Sequence, residues 1–137
     1  MSFKKESLPQ EFTGAHVVLI DANGNIILVK ELKTNDQYLN LPGGGRKSLE
    51  SAQETAIREC REELGLEVNT NSLTFLGNMF LGQIIFPLFF LKLHQKATFD
   101  QEGFEVQIYE WQTFLGMVAS INPELALEIG NKVNKLW

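Results

Sequence analysis

Residues 44–66 read GGRKSLESAQETAIRECREELGL, a glycine-led segment followed by a helix whose two ends are marked in the sequence. Ser51 and Glu54 match a capping box, which predicts a helix that begins near Ala52. Gly65 is expected just beyond the last turn in the left-handed conformation that glycine favours. One face of this helix should be buried, because small and apolar residues recur at helical spacing: Ala52, Ala56, Ile57, Cys60 and Leu64.

Three glutamates of the same helix, Glu59, Glu62 and Glu63, lie close enough along it that their side chains emerge together. We expect them to project from an exposed face beside the buried stripe. Like charges four positions apart destabilise a helix by about 0.2–0.5 kcal/mol, and the one guanidinium of Arg58 cannot neutralise three carboxylates. Mg²⁺ or Mn²⁺ prefers oxygen ligands and would bind here. The alternative is a solvated acidic face, the usual explanation of a glutamate-rich helix.

Three consecutive glycines, Gly43, Gly44 and Gly45, precede the acidic helix. Without side chains, their backbone can approach a ligand closely and direct amides at phosphate oxygens. We expect a positive φ at Gly44. An ordinary Pro-Gly-Gly turn is the alternative when the glycines are considered alone. Next to a metal-binding helix, however, they would supply the phosphate half of a metal–phosphate site.

The composition is that of an ordinary soluble domain. Of the 137 residues, 44% are apolar and 21% are charged, which excludes a disordered, fibrous or disulfide-stapled chain. The formal net charge is −5, from 17 acidic and 12 basic residues, and no long basic stretch could follow a phosphate backbone. A long nucleic-acid partner is therefore not expected. An acidic protein that handles a small anion needs a local reversal of charge, which bound divalent cations supply.

Cysteine content and hydropathy bear on the compartment. Cys60 is the single cysteine, so an internal disulfide cannot form. Residues 1–12 are predicted to be a short polar lead-in without the apolar segment of a signal peptide, and residues 13–137 a single domain. The longest apolar run, residues 84–91, contains Pro87 and is far shorter than the roughly 18 residues needed to cross a bilayer. A cytoplasmic location without membrane attachment is expected.

Strand-like stretches lie on both sides of the acidic helix. Residues 15–20 and 26–29 are β-branched runs around an Asp-, Asn- and Gly-rich turn, and they predict a hairpin. Residues 73–76 and 83–93 predict two further strands. The second of these should be buried on both faces and either bulged or at a sheet edge near Pro87.

The C-terminal part is predicted to contain one strand and two helical pieces. Residues 106–111 alternate and predict a strand, whereas residues 113–118 predict a helical turn. Asn122 and Pro123 open a final helix as N-cap and first helical residue. Strands and helices without regular βαβ alternation favour the α+β class, or a mixed sheet between helices.

Residues 44–66 resemble the Nudix box, whose pattern is Gly, five residues, Glu, seven residues, then Arg-Glu-apolar-x-Glu-Glu-x-Gly-apolar. Every specified position is filled, by Gly44, Glu50, Arg58, Glu59, Cys60, Glu62, Glu63, Gly65 and Leu66. Seven required identities would occur together by chance in so short a chain with a probability on the order of one in a million or less. Cys60 fills an apolar position and is expected to be a small buried hydrophobe.

The resemblance implies a fold and a reaction class. The fold would be an α/β/α sandwich with a mixed sheet, and the activity a MutT-like hydrolysis of a nucleoside diphosphate linked to another group. Glu59, Glu62 and Glu63 would be the metal ligands. Arg58 would orient a glutamate, and Glu50 would brace the turn between loop and helix.

The resemblance further implies a metal-binding or base glutamate from a later loop, for which Glu105 is the first candidate and Glu102 the second. The metal would lower the pKa of a bound water, which then attacks phosphorus. Glu62, Glu63 or Glu105 would accept the proton, and the sequence does not choose among them, because a base is identified by geometry before pKa.

The substrate is the least determined feature. Asn122 resembles by position an asparagine that reads the purine in the branch acting on oxidised nucleoside triphosphates, and a simple N-cap role is the alternative. ADP-ribose, a nucleotide sugar, or a non-catalytic nucleotide-binding regulatory module remain alternatives, although the intact glutamate cluster favours an enzyme. We expect a small-molecule nucleotide as the partner and a monomer or homodimer.

Aromatic side chains and histidines could also contact a base. The aromatic candidates, which in β-rich segments more often belong to the core, are Tyr38, Phe80, Phe104 and Trp111. His16 and His94 lie in strand-like stretches, where packing is the expected role.

Overall fold

The computed structural model describes residues 2–4, 7–33 and 38–136. Over these residues the chain forms seven strands, three α-helices and a 3₁₀ turn, in the order β1 Ser2–Lys4, β2 Gly14–Ile20, β3 Asn25–Glu31, β4 Gly43–Gly45, α1 Ala52–Leu64, the 3₁₀ turn Thr70–Ser72, β5 Thr74–Leu81, β6 Ile84–Lys92, β7 Phe104–Glu110, α2 Trp111–Ile121 and α3 Pro123–Asn134.

The seven strands form one mixed sheet. Six of them lie in the order β1-β5-β6-β2-β3-β7, and β4 pairs with β2 outside that order. β2 and β6 run parallel, whereas the remaining pairs are antiparallel. The predicted hairpin is the β2–β3 pair, whose turn is held by Asp21 Oδ1, an acceptor for the backbone N–H groups of Asn23 and Asn25. The α+β class and the mixed sheet are confirmed.

Helices cover both faces of the sheet. On one face α1 packs through Ala56 and Cys60 in a core cluster that includes Val17. On the other face α2 and α3 contribute to a second cluster, in which Ile129 of α3 lies with Val18. β2 lies at the centre and buries alternate residues on both faces, as expected for a continuous apolar strand between two helical layers.

The strand that contains Pro87 is not at an edge, so that part of the prediction is wrong. β6 lies between β5 and β2, and the irregular pairing occurs in β5, between Phe75 and Gly77. The proline is tolerated because the parallel register with β2 begins at the following residue, Leu88. The missing N–H therefore falls where that ladder starts.

The first residues are more ordered than the predicted polar lead-in. β1 pairs with β5, and Phe3 is buried between the exposed Ser2 and Lys4. Gly77 makes room for it, since a Cβ there would lie 2.7 Å from Phe3 Cζ. This fit between distant residues is not visible in local composition.

Trp111 begins α2 and does not end a strand. It is 7% exposed and stacks on Phe114 with ring centroids 5.5 Å apart. The predicted helical turn at residues 113–118 is part of this longer helix. The sequence does not mark the start of α2, because its N-cap residue, Glu110, is not a preferred capping residue and makes no side-chain capping hydrogen bond.

None of the helices in the described part of the chain is both long and apolar enough to cross a membrane.

Candidate active site

Helix α1 has the ends that its sequence predicts. The amide of Glu54 donates to Ser51 Oγ, and the amide of Ser51 donates to Glu54 Oε1, at 3.1 and 3.0 Å. Gly65 ends the helix with φ 66°. Cys60 is fully buried, as predicted for a small hydrophobe. These caps and the buried stripe fix the rotation of α1, and hence the direction in which its glutamates point.

The glycine segment forms β4 and lies against the same helix. Gly43 has φ 150°, and a Cβ on it would collide with the carbonyl oxygen of Ala15 and lie 2.6 Å from His16 Cδ2. The expectation of a positive φ at Gly44 is wrong, because Gly44 pairs with Ala15 in regular strand geometry. Gly44 is required for another reason: a Cβ there would lie 2.8 Å from the carboxylate carbon of Glu59.

Arg58 connects the helix, the loop and the glutamates. Its guanidinium makes a bidentate contact with Glu50, in which Nε donates to Oε2 at 2.7 Å and Nη2 donates to Oε1 at 3.1 Å. Nη2 also donates to the carbonyl oxygen of Gly45 at 2.7 Å, and Nη1 donates to Glu59 and Glu62 at 2.8 and 3.1 Å. The hydrogen bond from Arg58 lowers the pKa of Glu50 to about 2. These contacts place Glu50 where it can brace the loop–helix turn.

The three glutamates differ in exposure, so the expectation that all of them project from an exposed helix face is corrected. The side chain of Glu62 is 44% exposed, whereas that of Glu59 is 14% exposed and Glu63 as a whole residue is 9% exposed. Glu63 Oε1 accepts the N–H of Gly43 at 2.8 Å. Burial raises the pKa of Glu63 to about 8, assisted by the negative charges of Glu59, Glu31 and Glu62. Burial also raises the pKa of Glu59.

The donor set fits a hard divalent cation. It consists of the carboxylate oxygens of Glu59, Glu62 and Glu63, which lie on adjacent turns of the helix. Burial and neighbouring negative charges raise the pKa values of Glu59 and Glu63, so a bound cation would stabilise their ionised forms. Within residues 2–4, 7–33 and 38–136, no three His, Cys, Asp or Glu side chains converge as a ready metal-binding group. The reason is local: Arg58 holds oxygens of Glu59 and Glu62, and the Gly43 amide holds one of Glu63. Glu59, Glu62 and Glu63 would have to rotate slightly to share an ion.

The NUDIX domain family model matches residues 11–125, most of the chain. The chain belongs to the Nudix hydrolase family. No curated protein sequence matches this Nudix chain.

Solved structures share the Nudix fold at low sequence identity. A MutT structure, from work on the enzymes of Aliivibrio salmonicida and Vibrio cholerae, aligns with a TM-score of 0.68 at 14% identity, over 87% of this chain and 97% of that one. An Ap4A hydrolase from C. elegans aligns with a TM-score of 0.62 at 16% identity, over 90% and 97%. A MutT/nudix family protein from Enterococcus faecalis aligns with a TM-score of 0.62 at 15% identity, over 77% of this chain but only 46% of its own length.

Among the described residues, the hydrogen bonds and ion pairs of the glutamate cluster do not include Glu102 or Glu105. Glu105 is exposed on β7, and alternation places it on the same face as Tyr109, which packs in the core opposite α1. Glu102 lies exposed in the preceding turn. Asn122 caps α3 by accepting the amide of Leu125 at 3.1 Å, which agrees with its N-cap alternative. A role for any of them in the reaction stays a prediction.

Glu31, which the sequence analysis did not single out, affects the cluster electrostatically. It ends β3, and its negative charge raises the pKa of Glu63. In the sequence, Glu31 is an acidic residue just after a predicted strand. This pattern is too common to identify Glu31 as a residue near the glutamate cluster. Proximity to Glu63 depends on how the sheet packs on α1.

The contact between Arg58 and Glu50 should contribute measurably to stability. We expect Glu50→Gln to lower the free energy of unfolding at pH 7 by about 2–3 kcal/mol, because it removes the negative charge of the main partner of a nearly buried guanidinium. The pKa of Glu50 is lowered from 4.5 to about 2, so the contribution is complete above pH 4.5 and is lost as the pH falls through 2. Urea unfolding at pH 7 and pH 3 should therefore give a smaller difference at pH 3.

Glu11→Gln is the matched control for that measurement. Glu11 also pairs with an arginine, Arg46, at 3.5 Å, but its side chain is 93% exposed. Its loss should change stability by less than about 0.5 kcal/mol. Equal effects of the two substitutions would show that the Glu50 contact is ordinary surface pairing.

Proposed function

We propose that this Nudix hydrolase is a Mg²⁺-dependent pyrophosphohydrolase, with Mn²⁺ as the alternative ion, acting on a nucleoside diphosphate linked to another moiety. Water would attack phosphorus, and a nucleoside triphosphate, damaged or unmodified, is the first candidate substrate. The observation that supports this proposal is the packing of α1 on β4, which sets the carboxylates of Glu59 and Glu63 beside a side-chain-free strand, with Glu62 held nearby by Arg58. Charge for a cation and room for a phosphate thus occur together.

Each residue of the cluster would have its own task. Glu59, Glu62 and Glu63 would hold the ion, which when bound neutralises phosphate charge and lowers the pKa of a coordinated water. Arg58 would fix the orientation of Glu59 through their 2.8 Å hydrogen bond. Glu62 is the most exposed of the three and can turn towards solvent, which makes it a candidate to accept the proton of the attacking water.

The three glycines would contribute in different ways. The amide of Gly43 already donates to Glu63, so its role is to hold that carboxylate and not to bind phosphate. Gly44 leaves the space in which the Glu59 carboxylate lies. A Cβ at Gly45 would meet no atom within 4 Å, so this position is open to a ligand. Phosphate is therefore expected to approach on the Gly45 side.

Other substrates remain alternatives within the same reaction class. ADP-ribose and nucleotide sugars also contain the pyrophosphate that the cluster would address. One structural neighbour is named an Ap4A hydrolase, which adds dinucleoside polyphosphates to the compounds worth testing. A non-catalytic regulatory module is less well supported, since all three cluster glutamates are present.

A hydrolysis screen tests the proposal, with inorganic pyrophosphatase or alkaline phosphatase added so that pyrophosphate and phosphate-monoester products are detected as phosphate. Unmodified and oxidised nucleoside triphosphates, ADP-ribose, nucleotide sugars and dinucleoside polyphosphates are incubated with Mg²⁺ and the purified chain, with Glu62→Gln in parallel. We expect hydrolysis of at least one class, lost in the variant. Hydrolysis of none of them, or hydrolysis that Glu62→Gln leaves intact, would overturn the proposal.

Gly44→Ala should damage activity more than stability. The added methyl group would push the Glu59 carboxylate from its position beside Arg58, and we expect kcat/KM to fall by about 10–100-fold, as when a ligand's support is lost. The backbone is regular there, so the melting temperature should fall by no more than a few degrees, roughly 1 kcal/mol or less. Gly116→Ala, at an open position on α2, is the control and should affect neither quantity adversely. A stable, fully active Gly44→Ala protein would contradict this role.

A further inference from the structure

A cavity of about 360 Å³ lies on the sheet face opposite α1. Its walls come from β2, β5, β6, α3 and the segment before β4. The lining is almost entirely apolar or aromatic and includes His16, Leu41, Phe80, Phe86 and Ile129. The volume is within the range of small-molecule sites, which usually combine an apolar lining with very few polar groups.

The cavity and the glutamate cluster meet at one residue, Gly43. On one side its N–H donates to Glu63 at 2.8 Å. On the other side, a Cβ added to it would lie 2.6 Å from Cδ2 of His16, which lines the cavity. A substrate whose phosphates lie at the cluster could therefore reach this cavity with another of its parts past Gly43.

His16 is the one ionisable side chain among the residues that line the cavity. Its ring meets Phe86 edge to face, with centroids 5.3 Å apart. Across residues 2–4, 7–33 and 38–136, no side chain or backbone group hydrogen-bonds its imidazole ring, whereas its backbone pairs within the sheet. Burial lowers the pKa of His16 to about 4, so the ring is neutral at physiological pH and presents one N–H donor and one nitrogen acceptor.

We propose that His16 is the specificity-determining residue of the hydrolase, and that its imidazole hydrogen-bonds the edge of a nucleobase held in this cavity. The inference rests on the proposed function. A nucleobase suits the site because it is flat and has apolar faces for Phe80 and Ile129. A sugar would bring several hydroxyl groups, which this lining could not satisfy.

Equilibrium binding tests the proposal directly. Titration calorimetry with AMP, GMP, CMP and UMP, in Mg²⁺ buffer, compares the wild-type chain with His16→Phe, which keeps a ring and removes both nitrogens. We expect one base to be preferred, a loss of at least tenfold in its affinity in the variant, and a weaker preference among bases. His16→Gln, which retains a donor and an acceptor, should recover most of the affinity. His94→Phe, at the exposed second histidine, should bind as wild type.

Kinetics separates recognition from packing. His16→Phe should raise KM for the preferred nucleoside triphosphate at least tenfold with little change in kcat, and it should not affect hydrolysis of inorganic tripolyphosphate, which has no base. A packing role would instead change the melting temperature and both substrates alike. If His16→Phe does not fold, His16→Val, which is smaller and suits a strand, replaces it.

The failures of the two proposals are distinguishable. If Glu62→Gln abolishes turnover but His16→Phe leaves base preference unchanged, the role of His16 is overturned and the hydrolase stands. If no nucleotide is hydrolysed but monophosphate binding depends on His16, the proposed activity fails and the base site stands. If the wild-type chain binds none of the four monophosphates, the base site is overturned.

Discussion

Glu63→Gln is expected to lower kcat by about 10³-fold, the scale on which removing one charge-stabilising group affects an active site. The substitution keeps the oxygen that accepts the Gly43 N–H and removes the ability of the side chain to ionise when it binds a cation. Because burial raises the pKa of Glu63 to about 8, its ionised form is unfavourable in the folded chain. The melting temperature of the variant in EDTA at pH 7 should therefore hold or rise.

A fall in kcat together with an unchanged or higher melting temperature distinguishes a catalytic role of Glu63 from the alternatives. A glutamate that served only solvation would give little change in either quantity, and a glutamate needed for packing would lower both. Glu62→Gln should also lower kcat by about 10³-fold, but with less gain in stability, since Glu62 is the most exposed of the three glutamates. Glu128→Gln, on the exposed side of α3, is the matched control. A Glu63→Gln protein with wild-type turnover would show that this carboxylate has no part in catalysis.

Local signals predicted helix α1 and the residues it presents. Ser51, Glu54 and Gly65 fix the ends of the helix through contacts within a few positions of sequence, so the pattern of residues was sufficient. The β2–β3 hairpin was predictable for the same reason, because Asp21 holds its turn through hydrogen bonds to residues no more than four positions away. Family resemblance then extended this local result to the mixed sheet and its two helical layers.

Contacts between distant segments could not be predicted in this way. Burial of Glu63 depends on β4 lying against α1, and that placement depends on the register of β4 with β2. The same register sets Gly43 beside His16, which local pattern assigned to packing. Phe3 is ordered because Gly77, far along the chain, leaves space for it. In each case the deciding partner is remote in sequence and has no distinctive signature.

Removal of divalent cations is expected to abolish hydrolysis. Burial and the negative charges of Glu59, Glu31 and Glu62 raise the pKa of Glu63 to about 8, so a further negative charge is unfavourable at the cluster. A polyphosphate would bring several such charges, and two unit charges 4 Å apart repel by about 4 kcal/mol near a protein surface. Arg58 is already shared among three glutamates, and Lys47 Nζ lies 3.7 Å from Glu62, so these side chains cannot also neutralise a phosphate chain.

Treatment with EDTA should thus reduce turnover to background, and excess Mg²⁺ or Mn²⁺ should restore it. The fold should survive chelation, because Arg58 and the Gly43 amide hold the carboxylates without an ion. Circular dichroism recorded before and after chelation checks this, so that lost activity is not mistaken for unfolding. Undiminished turnover by a folded, fully chelated chain would remove the metal from the proposed reaction, and the glutamate cluster would then have to be explained as charge that Arg58 and Lys47 balance.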